Sequence, residues 1–303
     1  MKKMNNVKKS FSIRDMENLS GIKAHTIRIW EKRYNLFTPE RTSTNIRTYS
    51  LASLQKLLNV TLLYNNGYKI SKIAKLEEAK IPILVREIVS QSSEKDHAIN
   101  AFKLAMVNFD QTLFLNTYNS LLSDRSFKDI FNEVFIPLLN ELGLLWQTDT
   151  ISPSHEHFIS HLIKQKIHIN TEKLQLLEPT KKDKVFALFL PENEIHEIGL
   201  LYLNYEINLL GYKSIYLGQT MPLENLVDLL KYYDNVHFVS YFTVSPTKDE
   251  LSSYFDKFST IVSNGENRAK LWVLGHQIKH ISEEDLPAHI QTFNSIEQLI
   301  NFA

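Results

Sequence analysis

The sequence predicts a multidomain chain: an N-terminal all-α winged helix-turn-helix, a central four-helix-type bundle and a C-terminal α/β doubly wound sheet. Three observations lead there. Short helical patterns flank a polar, turn-rich insert at the start; apolar residues then recur at helical spacing with no strand among them; finally, short buried runs alternate with amphipathic segments. The corresponding domains span residues 8–80, 97–178 and 182–303.

Charge follows the same division. The chain carries 34 Lys+Arg and 34 Asp+Glu, but residues 1–80 hold 16 basic and 6 acidic residues, a balance of +10 that leaves −10 for the rest. A basic head on an acidic body points to one module for a polyanion and another for a different ligand. With 43% hydrophobic and 22% charged residues the composition is that of globular domains. No apolar run approaches the roughly 20 residues of a membrane span. The start, Met1-Lys2-Lys3-Met4, is basic without an apolar stretch behind it, so no secretory signal is read there and a cytoplasmic location is expected. Zero cysteines exclude disulfides, thiolate metal sites and a cysteine nucleophile.

In the head, Ser12 is the expected N-cap of a helix through Leu19, and Gly21 its end. A basic second helix runs from Lys23 to Tyr34, with Ile22, Ile27 and Trp30 on one face. Pro39 to Tyr49 is polar and turn-rich, and apolar periodicity resumes at Leu51, Leu54, Leu57, Leu58 and Leu62. Helix, Gly-bearing turn and basic second helix form the helix-turn-helix order.

The middle block repeats Phe102, Ala105, Met106 and Phe109, then Phe114, Tyr118, Leu121 and Leu122, then Ile130, Val134, Leu138 and Leu142. Linkers are expected at Gln91–Asp96 and Glu178–Asp183.

The third block alternates strands at 184–190, 214–217, 236–240 and 271–274 with helices at 198–210, 223–232 and 248–262, and ends in a further strand and helix from Ile290. This is the doubly wound, flavodoxin- or Rossmann-like pattern, whose ligands lie beyond the carboxyl ends of the strands. Those ends are Pro191–His196, Gly218–Pro222, Ser240–Ser245 and Gly275–Ile278. Only 8 glycines and no Gly-rich phosphate loop argue against a nucleotide site, and no Ser-His-Asp order or paired carboxylates suggest an enzyme.

The motifs of the head are Phe11-Ser12-Ile13, Leu19-Ser20-Gly21-Ile22, His25 to Glu31, and an insert from Arg41 to Asn45 closing with Arg47-Thr48-Tyr49. They resemble the DNA-binding domain of the MerR family. The resemblance implies a second helix in the major groove and a wing on the flanking phosphates of a double-stranded operator. Thr26, Arg28 and Arg33 are then candidates for base edges or phosphates, Arg41 and Arg47 for the backbone, with Ser12, Arg14, Trp30, Asn45 and Tyr49 completing the interface. Trp30 stands where many members have Tyr.

After the first strand of the third block comes Glu194-Ile195-His196-Glu197-Ile198-Gly199. An imidazole at a strand mouth is a ready metal ligand, and a carboxylate two residues earlier can fix its tautomer. The segment resembles the cobalamin-binding domain of methionine synthase and the mutases, with the fingerprint Asp-x-His-x-x-Gly, Ser-x-Leu and Gly-Gly. The resemblance implies cobalamin as cofactor, His196 as the lower cobalt ligand, Glu194 behind it, Gly199 leaving room for the cofactor, and Ser240, Thr243 and Gly275 lining a channel for the displaced nucleotide tail. Glu194 replaces Asp, Phe242 replaces Leu and His276 replaces the second Gly.

In the middle block, Trp146 precedes Glu156-His157 by ten residues. This resembles the helical cap of the CarH/LitR group of light-sensing cobalamin repressors, and the three blocks follow that group's order. It implies adenosylcobalamin under Trp146, Glu156 and His157. Gln147 stands where the light sensors have a second His. His155 and His161 lie nearby but do not match that position, and His25, His97, His168, His237, His280 and His289 read as surface or structural.

These residues imply a DNA-binding regulator whose cofactor controls assembly, with no catalytic residues. A regulator whose acidic half senses another ligand or partner, and a corrinoid methyltransferase-type carrier, remain the alternatives. A single head covers a short half-site, so a homo-oligomer, dimer or tetramer, is expected. Because Gly67 and Pro82 interrupt the helical run after the wing, assembly should fall to the acidic half.

Overall fold

The computed structural model describes residues 10–42, 44–91, 95–147, 150–263, 269–281 and 286–303. They form two compact units, Met1–Ile163 and Lys164–Ala303.

The first unit opens with β1 (Ser10–Ser12), α1 (Ile13–Ser20) and α2 (Ala24–Tyr34). Ser12 caps α1 in a reciprocal box: its hydroxyl accepts from Asp15 N at 3.2 Å, and Asp15 accepts from Ser12 N at 2.7 Å. Gly21 ends α1 at φ 71°, where a side chain would be strained. The head is mostly helical but not all-α. β2 (Glu40–Arg41) and β3 (Arg47–Ser50) join β1 in an antiparallel sheet of order β1-β3-β2. Phe11 faces Tyr49 across it, and burial of both rings gives the short strands a reason to pair.

The unit continues with α3 (Leu51–Asn65), α4 (Ile70–Ile73), α5 (Lys80–Gln91), α6 (Lys95–Asn108), α7 (Gln111–Leu122) and α8 (Phe127–Ile130). A π-helical turn at Phe131–Phe135 leads into α9 (Ile136–Gln147), and α10 (Pro153–Gln175) closes the helical region. Gly67, at φ 84°, does break the run after α3. Pro82 does not: it sits in the first turn of α5, where its missing N–H would have had no intrahelical partner. α3 packs on both α5 and α6, and Thr150 donates to Asp15 of α1 at 3.2 Å, so head and bundle share one packed body.

The second unit carries β4 (Lys181–Phe189), α11 (Ile198–Leu209), β5 (Tyr212–Gly218), β6 (Val236–Tyr241), α12 (Leu251–Ile261), β7 (Lys270–Leu274), β8 (Ile290–Thr292) and α13 (Ile296–Phe302). All pairings are parallel, in the order β5-β4-β6-β7-β8. Two segments differ from the sequence expectation. Leu223–Lys231 is a 3₁₀ helix, and its leucines at 223, 226 and 229 suit three residues per turn. β4 begins inside the expected linker, because Lys181 N donates to Gly211 O beside the neighbouring strand.

Alternation along the strands fills both faces. Phe186, Leu188, Val239, Trp272 and Leu274 pack with α11 and α13 residues, whereas Ala187, Phe189, Phe238, Leu271 and Val273 meet α12 and the 3₁₀ segment. The chain passes from β4 to β5 on one side and then from β5 across to β6 on the other side of β4, which makes the carboxyl ends of β4 and β6 the switch-point crevice. Among the described residues no helix is long and apolar enough to cross a membrane.

Candidate functional site

At the switch point the loop after β4 turns sharply: Glu194 N donates to Pro191 O at 3.1 Å, with Asn193 at φ 65°. The turn drives the Glu194 side chain into the domain, where it is completely buried. A buried carboxylate needs donors, and five backbone N–H groups supply them. Oε1 accepts from Ile195 N and His196 N, both at 3.0 Å; Oε2 accepts from Thr243, Val244 and Ser245 N at 3.1, 2.6 and 3.0 Å. Three consecutive N–H groups after β6 thus form a nest for one oxygen. Burial works to raise the carboxyl pKa, but the Val244, His196 and Ser245 N–H donors and the His196 ring outweigh it and hold the pKa at about 2.

His196 Nδ1 lies 2.6 Å from Glu194 Oε1. With the carboxylate ionised, Nδ1 is the protonated nitrogen, which leaves the lone pair on Nε2. The ring is 54% exposed, and Nε2 has no partner among the described residues. Ile195 and Val244 add exposed apolar surface beside it. Gln219 Nε2 donates to Ile195 O at 3.2 Å and Gln277 Nε2 to Val244 O at 3.3 Å, bracing the two loops. A half-exposed imidazole fixed through Nδ1, with Nε2 unpartnered among the described residues, could serve as one nitrogen ligand of a cobalt corrinoid. No group of three or more His, Asp or Glu among the described residues is placed to hold a metal ion by itself.

The expected channel residues are placed otherwise. Ser240 is fully buried and its hydroxyl donates to Phe189 O at 2.9 Å, tying β6 to β4 rather than facing open space. Thr243 contributes its backbone N–H to Glu194. Gly275, at φ 111°, lies against the Phe242 backbone, and a Cβ there would stand 2.3 Å from Phe242 O. Gly199 meets the Tyr241 ring rather than an open space. His276 is exposed beside Lys279.

In the first unit Glu156 accepts from Ser160 Oγ at 2.6 Å and lies 3.4 Å from the exposed His157. Trp146 and Gln147 fall on the α9 backbone, but their side chains lie outside the described residues. His155 is buried against Phe109, with ring centroids 4.8 Å apart, and burial lowers its pKa.

On the head, α2 exposes Arg28 and Arg33 with Thr26 half-buried, and Arg14 is exposed on α1. In the wing, Arg41 donates to Asn45 Oδ1 at 2.6 Å. Arg47 Nε pairs with Glu31 at 3.1 Å, so it anchors the wing to α2. Two expected DNA contacts, Trp30 and Tyr49, need correction, and Ser12 has a local role as well. Trp30, 4% exposed, packs edge-on against Tyr64 at 5.2 Å. Tyr49, 1% exposed, donates to Glu31 Oε2 at 3.0 Å. The Ser12 hydroxyl is engaged as the α1 cap. Trp30 and Tyr49 thus hold α2 and the wing in place and do not reach outward, while the exposed Ser12 caps α1.

Sequence reasoning missed Tyr241, Gln219, Gln277 and the Thr243–Ser245 nest. A backbone N–H carries no residue identity, so no spacing rule could have found the nest.

Residues 11–80 match the profile of MerR HTH family regulatory proteins, and residues 98–169 that of the B12 binding domain. The chain is 28% identical over 226 residues to the HTH-type transcriptional repressor CarH of Myxococcus xanthus, covering 72% of this chain and 74% of that protein. It is 25% identical over 212 residues to the repressor CarA of the same organism, covering 69% and 68%. Among solved structures, the Methanosarcina barkeri monomethylamine corrinoid protein aligns with 72% of this chain and 94% of its own, at a TM-score of 0.49 and 14% identity. The chain thus joins a MerR-type HTH region at 11–80 to a B12-binding region at 98–169, the make-up of a cobalamin-binding transcriptional regulator.

Proposed function

We propose that the chain is an operator-binding regulator that responds to adenosylcobalamin, with domains at 8–80, 97–178 and 182–303. The observation that carries this reading is the His196 imidazole, held by a buried, ionised Glu194 at the switch point of the sheet. When bound, the cofactor would supply a cobalt centre able to accept a nitrogen ligand. His196 offers Nε2 for it; Glu194 keeps the proton on Nδ1 and the ring in position. Trp146, Glu156 and His157 are assigned to the cap over the opposite face. Arg14, Thr26, Arg28, Arg33, Arg41, Asn45 and Arg47 are assigned to DNA. Both curated relatives are repressors by name, which supports repression rather than catalysis as the outcome.

Reconstitution with adenosylcobalamin in the dark tests the ligand role. The parent should stay coloured after desalting and His196→Ala should not; a parent that never retains colour ends the reading. Sedimentation of the full chain with and without cofactor tests ligand-dependent assembly, and an identical monomer in both removes it. For DNA, Arg28→Ala should cost about 1–3 kcal/mol at specific sites and less on random sequence, whereas Arg47→Ala should weaken both alike. Equal, negligible effects would show that the winged helix is not the reader.

A further inference from the structure

We propose that the open cavity at the amino ends of β4, β6, β7 and β8 is a second ligand site. It takes a small hydroxylated anion, whose phosphate or carboxylate head meets Lys184 and Lys270. The cavity lies at the opposite end of the sheet from His196, so the proposal does not depend on the cobalt-ligand reading.

Its volume is about 550 Å³, and its walls are mostly residues that begin those strands or directly precede them. Such a space holds a small molecule but not a duplex or a folded partner. Lys184 is half-buried. Its Nζ donates to Ala303 O at 2.7 Å and stands 5.1 Å from the Tyr212 ring centroid, which places the ammonium and leaves it two further N–H groups. Lys270, exposed on the wall, makes no hydrogen bond or ion pair among the described residues. Both cations act on one neighbour: after burial, each works to lower the pKa of His237, against Asp183. This positive pair stands in the part of the chain that carries −10 overall. Asp183 offsets only one of the two charges, and an anionic head supplies the rest.

Three further groups of the wall are acceptors. Asn235 Nδ2 donates to Asp183 O at 2.8 Å, which leaves Asn235 Oδ1 and the Asp183 carboxylate to accept. The Ser259 hydroxyl gives its proton to Phe255 O at 2.8 Å, so in its 2.8 Å contact with His289 Nε2 the ring is the donor. Burial lowers the His289 pKa, and the neutral ring then carries its lone pair on Nδ1. Two ammonium groups beside three acceptors call for a ligand that combines one anionic head with hydroxyl donors. Asp183 repels a second anionic group.

The test is calorimetry on the full chain without corrinoid, at constant ionic strength, with glucose 6-phosphate, gluconate and glucose as probes. At least one of the two anions should bind at a single site, and glucose about tenfold more weakly or worse; the tighter anion identifies the head. No binding of either anion overturns the proposal, as does glucose binding equally well. Lys270→Gln should weaken the bound anion about tenfold, while Lys270→Arg stays within about threefold of the parent. An unchanged affinity in Lys270→Gln overturns the site. Lys257→Gln, exposed on α12 and outside the cavity, should change nothing; a matching loss there would show general charge screening and also overturn it. The anion should shift the His237 ring signals in the NMR spectrum of the parent. Binding that leaves them unmoved lies elsewhere and overturns the proposal, a readout that stands even if a Lys270 variant fails to fold.

Discussion

Two histidines of the same sheet show how position sets chemistry. His196, at the carboxyl end of β4, is half-exposed and bound through Nδ1 to a buried carboxylate. His237, near the amino end of β6, is 4% exposed, lies edge-on to Trp272 at 4.7 Å and Phe186 at 5.5 Å, and its Nδ1 has no partner among the described residues. It borders a cavity of about 550 Å³ that Lys184 and Lys270 also line. Burial, then those two lysines, push its pKa down to about 4. One ring is fixed at the strand mouth with Nε2 unpartnered among the described residues, and the other is kept neutral as packing. An imidazole at a strand's carboxyl end can be served by loop N–H groups through a carboxylate, while His237 meets aromatic rings and two lysines that disfavour its charge.

The largest effect that tests this contrast falls on the carboxylate. Glu194→Ala strips an acceptor from five N–H groups and should destabilise the second unit by about 4 kcal/mol in urea unfolding. A loss under about 1 kcal/mol would mean that water or the backbone replaces it readily. Acid should act next, through His237. The unfolded chain takes up this proton near pH 6.5, the folded chain near pH 4, so between them the unfolded state binds more protons. The contribution is complete above pH 6.5 and falls by about 3 kcal/mol as pH drops toward 4. In His237→Phe that part of the pH dependence should vanish, and stability at pH 7 should rise by about 1 kcal/mol because an unpaired buried nitrogen is removed. An unchanged pH profile would place the titration elsewhere. The smallest effect on stability belongs to His196→Ala, about 0.5 kcal/mol or less, since the ring is half-exposed and the residue 196 N–H still reaches Glu194. A large loss there would make His196 a structural residue like His237, and the contrast would collapse.

What could be read in advance was mostly local. The Ser12 cap, the Gly21 stop, the strand–helix alternation from Lys184 onward and the pairing of Glu194 with His196 each depend on residues a few positions apart. Where such readings missed, a distant partner had decided. Trp30 and Tyr49 looked available for DNA because a helix face and a strand end were all that the spacing showed. Tyr64 and Glu31 claim them in the folded head.

The sequence by itself determined the order of modules, the basic head, the turn chemistry and the candidate imidazole, because each follows from backbone preference, charge or short-range periodicity. Only the tertiary structure decided that Glu194 is clamped by N–H groups 49 to 51 residues away, that Ser240 and Gly275 are packed shut, and that Tyr241 stands over Gly199. These facts arise where two parallel strands are brought side by side after a long crossover. Which groups then face each other depends on register, and register is fixed by how the whole sheet buries its two faces.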